Sequence, residues 1–415
     1  MIYAILFTYL AITFGTGFFL GRKNQNDSEG YFMANRNLGT FKLFLTLIAT
    51  NFSAFFFLGF AGEGYKIGYA YYAMTALGTS LAAVGFYLIG QRAWSLGKQH
   101  GYITPVEMIG AQTNHEPTRI LYLLCMLFFM FPYLALQPIG AGLILENLTD
   151  GVITYEMGVV GMTLFIILHI IFGGMKGVVM LDVKNGILML TFMTAALFVI
   201  AWQLGGITEV HQKLLIQEPE LFSPTGKNDF FNAKKWISFM LLFGCSVSIL
   251  PQLFSRFLIS KNSEILQKST LLYTIIPIFL FLLPVMIGMM GNLNFPGLEG
   301  KAPDDILTKM LILHTPEWFA ALILTGALAA FISTMDSVLL ALATITSRDL
   351  LKPVLGINSE KGQILGARIS IVVFAAISLV IAFYRPASIF AIGKLALSGM
   401  AVLFPTVLLL SLIHI

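Results

Sequence analysis

The sequence predicts an all-α protein that crosses a membrane many times. Of its 415 residues, 57% are hydrophobic and only 11% are charged, and the mean hydropathy is +0.83. Soluble globular chains are typically about 25% charged. The apolar residues lie in runs of roughly twenty, the length of an α-helix that spans about 30 Å of hydrocarbon. A membrane β-barrel would instead show short segments of alternating polarity, so the expected fold class is polytopic and helical.

Eleven runs are long and apolar enough to be candidate spans. The first is followed, not preceded, by Arg22 and Lys23. This is the reverse of the charge order in a signal peptide, so we expect the first run to remain as a helix. The candidate spans cover residues 2–20, 43–61, 69–90, 118–146, 155–174, 180–206, 237–258, 271–293, 317–345, 364–385 and 388–413.

The Lys and Arg residues predict the orientation. Sixteen of the 25 lie in loops after odd-numbered spans, and eight lie in loops after even-numbered spans. Because cytoplasmic loops are enriched in Lys and Arg, we expect an outside N-terminus and a cytoplasmic C-terminus, in the lipid of an inner (plasma) membrane. The basic residues are scattered, so no nucleic-acid partner is expected. Cys125 and Cys245 both fall in spans, which indicates neither a disulfide framework nor a zinc site.

Two spans contain residues that interrupt a helix. The second has the polar segment ATNFSA (49–54) at its middle, and the seventh contains Gly, Ser and Pro residues. Either alone is equally well explained by hydrogen bonds to neighbouring helices. If the N-terminal helix and loop (1–40) are set apart, the single domain (1–415) divides into two sets of five spans, 41–206 and 237–415. An interrupted helix comes first in each set, which favours a transporter of inverted repeats with its site at the midplane.

The ninth span carries hydroxyl side chains on one face. At about 100° per residue, Ser333, Thr334 and Ser337 share an arc with Gly326 and Ala330, opposite bulky apolar residues. Close packing of helices explains such a face. A site for a hard cation explains it equally well, because two adjacent hydroxyls and a carbonyl one turn back offer oxygens from one helix. Carbonyls of the interrupted second span would then complete the site.

Ionisable residues inside other spans each have two explanations. Asp336 is either a structural carboxylate or a cation ligand. Asp182 is either a helix N-cap or a second cation or proton ligand, and His169 is either a packing residue or a proton relay. Lys394 is expected to extend toward the interface or to pair with a carboxylate. Arg256 is expected to anchor the cytoplasmic end of the seventh span.

Four segments, in order along the chain, resemble the sodium:solute symporters, which carry sugars, proline, pantothenate, monocarboxylates and similar solutes. The resemblance covers nearly the whole chain. It implies one extra N-terminal helix before a five-plus-five inverted repeat of the leucine-transporter kind. It also implies Na⁺ as the coupling ion and a transporter rather than an enzyme. The four segments are residues 31–36 (YFMANR), 49–54 (ATNFSA), 173–185 (GGMKGVVMLDVKN) and 329–337 (AAFISTMDS).

The resemblance also implies positions for the ions. A main Na⁺ site would use backbone carbonyls and two hydroxyls, from Ala49, Phe52, Ala330, Ser333 and Thr334. A second Na⁺ position would use Asp182, Asp336 and Ser337. The sequence departs from the family at Leu181 and Asn185, where Thr and Gln are usual, and this departure bears on the second position more than on the first.

The solute is expected to be a small organic carboxylate or an amino acid. Phe55 and Phe56 stand where sugar-carrying members have polar groups, and a pocket without hydrogen-bonding groups binds a hydroxyl-rich solute poorly. A carboxylate could lie at the N-terminus of a half-helix. Alternatives are proton coupling through Asp182 or Asp336 and a solute sensor with the same fold. The expected solute-lining residues are Asn51, Phe55, Phe56, Tyr133, Gln137, Ser246 and Gln252.

Overall fold

The computed structural model describes residues 1–21 and 28–413. Arg22 and Lys23, which follow the first predicted span, lie outside the described residues. Within the described ranges the chain is helical and forms no β-strand, apart from an isolated bridge between Leu38 and Ser260. The expected all-helical class is therefore confirmed for this part of the chain.

The α-helices follow one another with short connections. The first nine are α1 Ile2–Gly21, α2 Ser28–Met33, α3 Thr40–Asn51, α4 Phe60–Ile67, α5 Tyr69–Gly85, α6 Gln91–His100, α7 Pro105–Thr113, α8 Glu116–Leu148 and α9 Tyr155–Gln203. The others are α10 Ile207–Gln217, α11 Ala233–Val247, α12 Pro251–Leu258, α13 Ser263–Asn294, α14 Ile306–His314, α15 Glu317–Ile345, α16 Lys352–Leu355, α17 Glu360–Tyr384 and α18 Ile389–Ile413. Three π-helical segments continue neighbouring helices and cover Phe55–Gly59, Phe86–Gly90 and Thr346–Leu351.

Fewer helices meet the length and hydropathy of a span than the sequence predicts. In the described ranges seven helices do so, or up to nine if each of two bent pairs is one span. Two features account for the difference from eleven. The apolar part of α1 is short, Ile2–Gly17, and the 49 residues of α9 include both the fifth and the sixth predicted spans.

Both expected interruptions are confirmed. The second span bends by 62° between α3 and the helix that begins at Phe55, and the seventh bends by 47° between α11 and α12. At the first break Phe52 has an extended backbone (φ −85°, ψ 98°). The last carbonyls of a helix lack intrahelical donors, so each bend leaves polar backbone inside the bundle.

A kink divides α9. Gly174 has φ 54° and ψ −168°, a conformation that only glycine adopts readily. Asp182 lies eight residues beyond this kink, inside the helix, and the N-cap of α9 is Thr154. The expectation that Asp182 caps a helix is therefore wrong.

Helix α15 lies at the centre of the bundle. Its most apolar stretch of 18 residues is entirely buried, whereas the other spanning helices bury between 39% and 61% of theirs. It packs against α8 and α9, and also against α3 and α12 from the two bent pairs. The hydroxyl-bearing face of α15 therefore contacts protein and not lipid.

Candidate cation and solute site

The hydroxyl of Thr334 approaches the break in the second span. Its Oγ1 atom lies 3.4 Å from the carbonyl oxygen of Ala49 and 3.5 Å from that of Phe52. Ala330 is fully buried one turn before Thr334 on α15. The structure thus gathers three of the oxygens expected for the main Na⁺ site, two from α3 and its end and one from α15. Neutral oxygens in a buried place are suitable ligands for a hard cation.

Ser333 faces a different partner. Its hydroxyl donates to Asp182 Oδ1 at 2.5 Å and does not join Thr334 at the break. Both side chains are fully buried. In this conformation Ser333 therefore belongs to the surroundings of Asp182, and its role as a ligand of the main site stays a prediction.

The carboxylate of Asp182 is surrounded by donors. Thr46 and Thr50 both donate to Oδ2, the latter at 3.3 Å. Arg256 donates to the same oxygen from Nη2 at 3.0 Å. Because the carboxylate is fully buried, these bonds and the positive charge replace the water that it has lost.

Arg256 is the partner of Asp182 that the sequence did not indicate. Its large side chain is fully buried and bonds inside the bundle, so the expectation that it anchors the cytoplasmic end of the seventh span is wrong. Besides Asp182 it donates from Nη2 to Ser337 and from Nε to Thr46, at 2.5 and 3.0 Å. Opposite charges inside spans usually pair, and this rule predicts an acidic partner for Arg256 but not which of the two buried carboxylates it is.

Asp336, next to Ser337 on α15, makes no hydrogen bond to this cluster. Its Oδ2 atom is 2.7 Å from Nδ1 of His169, and both side chains are fully buried. His169 therefore has an acidic partner, which no sequence pattern indicated. Gly17 of α1 packs directly on the imidazole, since a Cβ atom there would overlap Nε2 of His169.

Helix α1 also reaches the centre of the bundle through Tyr9. The phenol of Tyr9 donates to the side-chain oxygen of Asn185 at 3.3 Å, and the Asn185 amide donates to the carbonyl of Ala329 at 3.0 Å. Lys184 donates to Thr13 at 2.8 Å and lies over the Tyr9 ring. Helix α1 is therefore linked, through Asn185, to the residue that precedes Ala330.

A cavity lies beside the first break and is lined mainly by aromatic rings. Its volume is about 20 Å³, room for about one water molecule and not for a solute. The rings of Phe52 and Phe56 are stacked with centroids 4.3 Å apart, and Phe281 lies against both. The lining residues are Asn51, Phe52, Phe55, Phe56, Phe60, Thr79, Tyr133, Phe243, Val247, Phe281 and Leu397.

Four of the seven expected solute residues line this cavity, namely Asn51, Phe55, Phe56 and Tyr133. The other three do not. Gln137 accepts from the backbone N–H of Ala54 at 3.0 Å, and Ser246 donates to a carbonyl of its own helix at 2.6 Å. Gln252 is fully buried, and its amide atoms have no hydrogen-bond partner among the described residues.

Comparison with known proteins decides the family. The model of the sodium:solute symporter family matches residues 31–414. This chain belongs to that family. Its relatives are transporters, which confirms the resemblance seen in the sequence and the expectation that the chain is not an enzyme. Together with its apolar helices, the family membership makes it a multi-pass membrane protein of sodium-coupled solute transport.

Individual symporters of this family are similar over nearly the whole chain. The sodium/pantothenate symporter of Escherichia coli (strain K12) is 26% identical over 412 residues, which are 98% of this chain and 84% of that protein. The sodium/proline symporter of Staphylococcus aureus (strain JH9) is 22% identical over 395 residues, 92% of this chain and 75% of that protein. These two relatives are named for different solutes, so the comparison leaves the solute of this symporter open.

A solved structure has the same fold. A Na⁺-coupled sialic acid symporter in a substrate-bound, outward-open state matches with a TM-score of 0.79 at 20% identity, over 93% of this chain and 82% of that one. At this identity the likeness concerns the fold alone.

Proposed function

We propose that this symporter imports a small organic carboxylate or an amino acid together with Na⁺ by alternating access. The observation that carries the proposal is the approach of Thr334 to the carbonyls of Ala49 and Phe52. A cation held there joins α3 to α15 and stabilises the break that borders the aromatic cavity. Na⁺ binding then favours solute binding and the reverse, because coupling between two sites is reciprocal.

The architecture in this proposal has eleven spans. Counting α9 as two spans around Gly174, and α1 as a further one, adds two to the nine obtained with the bent pairs. The bent pairs then begin the repeats 41–206 and 237–415, with 1–40 as the extra segment. The Lys and Arg distribution supports an outside N-terminus and a cytoplasmic C-terminus.

The cavity supports a solute with an apolar body and few polar groups. Asn51 and Thr79 contribute polar side chains among the rings, and a sugar would need more hydrogen bonds than these supply. At the first half-helix, the N–H groups of Ala54 and Phe55 are already bonded to Gln137 and Ser53. We therefore assign the solute carboxylate to the start of α12, outside the present lining of the cavity, because the buried amide of Gln252 has no hydrogen-bond partner among the described residues.

The assignment of Thr334 is tested by substitution. Thr334→Ala removes one oxygen ligand, and we expect the Na⁺ concentration for half-maximal uptake to rise about tenfold, equivalent to ~1.4 kcal/mol. Ser333→Ala combined with Thr334→Ala is expected to abolish Na⁺-driven uptake. The measurement is uptake into proteoliposomes, after a screen of carboxylates and amino acids for Na⁺-dependent thermal stabilisation.

Thr344→Ala is the matched control. Thr344 lies on the same helix and is buried, but its hydroxyl donates to the carbonyl of Leu340. This variant should keep the wild-type Na⁺ dependence. An unchanged Na⁺ dependence in the Ser333/Thr334 double variant would remove the site assignment, and uptake driven by a pH gradient without Na⁺ would favour proton coupling.

A further inference from the structure

The oxygens expected for a second Na⁺ are already in use. Arg256 Nη2 lies 3.0 Å from Oδ2 of Asp182 and 2.5 Å from the hydroxyl of Ser337. Its Nε atom lies 3.0 Å from the hydroxyl of Thr46, which itself donates to Asp182. One guanidinium thus contacts two of the three residues at which a second ion would bind.

The third residue faces elsewhere. The Asp336 carboxylate lies against Nδ1 of His169 at 2.7 Å. No hydrogen bond joins it to Asp182, Ser337 or Arg256 in the described structure. The three expected ligands are therefore divided between two separate partners and do not form one coordination shell.

The charges also disfavour a further cation. An arginine guanidinium carries a permanent positive charge in proteins. The Asp182 carboxylate and the Arg256 guanidinium are both fully buried and balance one another. A Na⁺ added beside this pair would have to compete with the guanidinium for Oδ2 of Asp182, while the Asp336 carboxylate lies against His169 at 2.7 Å.

We propose that Arg256 is a built-in cation at the second ion position, and that this symporter therefore carries one Na⁺ for each solute. This inference rests on the proposed function, because it concerns the ion count of the same transport site. Thr334 and the carbonyls at the break hold the mobile Na⁺. Arg256 supplies the second positive charge permanently, and Asp182 and Ser337 orient it.

The test counts Na⁺ bound to the purified symporter in detergent, with ²²Na⁺ as the probe. The wild type should bind one Na⁺ per chain with a Hill coefficient of 1, and Thr334→Ala should bind it about tenfold more weakly. Arg256→Ala leaves the buried carboxylate without its cation, so we expect a second Na⁺ per chain. Arg256→Ala combined with Asp182→Asn removes both charges and should return the count to one.

Thermal stability gives an independent measure of the second Na⁺ expected in Arg256→Ala. Na⁺ should raise the melting temperature of Arg256→Ala more than that of the wild type, because a bound ion stabilises the folded state by mass action. Arg385→Ala is the matched control. It breaks a pair of the same length, 3.0 Å to Asp304, outside the site, and should leave the ion count unchanged.

The outcomes separate the two proposals. Two Na⁺ per wild-type chain would overturn the role of Arg256, and this holds even if Arg256→Ala fails to fold. One Na⁺ in both the wild type and a folded Arg256→Ala variant would also overturn it. A wild type that binds no Na⁺ would instead refute the proposed sodium coupling.

Discussion

Gly174 has a backbone conformation on which the path of the chain depends. Its φ of 54° and ψ of −168° divide α9 into two arms, and the second arm presents Asp182 to α3, α12 and α15. The ring of Tyr31 covers the glycine, because a Cβ atom there would lie 2.9 Å from the ring. A single residue without a side chain therefore determines where the buried carboxylate lies.

Gly174→Ala is expected to destabilise the symporter. Strain of this kind costs about 1–3 kcal/mol, and the new methyl group would also displace Tyr31. We expect a lower melting temperature in detergent and loss of Na⁺-dependent stabilisation. Gly173→Ala is the control, because a Cβ atom there has no neighbour nearer than 3.8 Å. Equal stability of the two variants would contradict this account of the kink.

The pairing of charges shows the limit of sequence reasoning at this scale. Asp182 and Asp336 stand out as carboxylates in apolar spans, so both could be singled out without a structure. Their partners could not, because Arg256 and His169 lie 74 and 167 residues away along the chain. Which of two carboxylates takes the arginine depends on the depth and rotation of three helices, and hydrophobic periodicity does not specify these.

The break of the second span is held by a side chain from another helix. Gln137 of α8 accepts from the N–H of Ala54 and donates to the carbonyl of Tyr133. The sequence predicted the break from its Thr, Asn and Ser residues, and predicted the hydroxyl face of α15 from its periodicity. It placed Gln137 among the solute residues instead, since an amide in a span has no pattern that identifies its partner.

Gln137→Leu should weaken Na⁺ binding even without solute. The substitution leaves a buried N–H without an acceptor, at a cost of about 1–3 kcal/mol, beside the carbonyls of the cation site. We expect a smaller Na⁺-dependent thermal shift, measured in solute-free detergent. Gln137→Glu keeps an acceptor and should retain most of the shift. If Gln137→Leu responded to Na⁺ like the wild type and lost only solute binding, the original solute assignment would stand.

Across the whole molecule, the fold was more predictable than the site. Runs of about twenty apolar residues and the matched interruptions sufficed for a helical, multi-pass transporter, and the family comparison agrees. The closed aromatic cavity was only partly foreseen. Phe60, Phe243 and Phe281 line it but resemble ordinary packing residues in the sequence, because their roles depend on contacts between distant helices.

A loop outside the spans links distant parts of the molecule. Asp304, in the segment between α13 and α14, accepts from Arg385 and from the N–H of Ile389, both at 3.0 Å. The bonds attach this segment to the end of α17 and the start of α18. Burial raises the pKa of the adjacent Asp305 to about 6, although Arg385 and Lys309 act in the opposite direction.

Asp305 should make the symporter less stable as the pH rises. Its folded-state pKa of about 6 exceeds the ordinary 3.8, so between these values the folded state binds more protons and loses stability with increasing pH. Asp305→Asn should remove this loss, with a gain of the order of 1 kcal/mol at pH 7 that vanishes near pH 4. Melting temperatures across this range measure it.

Glu299→Gln, at an exposed site in the same loop, is the control and should keep the wild-type pH profile. If the melting temperatures of Asp305→Asn and of the wild type changed with pH in parallel, Asp305 would not be the group responsible for the loss of stability.

The neutral pair of Asp182 and Arg256 has an electrical consequence. With one Na⁺ per cycle, a singly charged carboxylate would cross without net current, whereas a zwitterionic amino acid would carry one positive charge inward. The membrane potential supplies ~2.3 kcal/mol per charge per 100 mV. It would therefore drive the uptake of a zwitterionic amino acid but not that of a singly charged carboxylate. A current recorded during uptake would thus identify the charge of the natural solute.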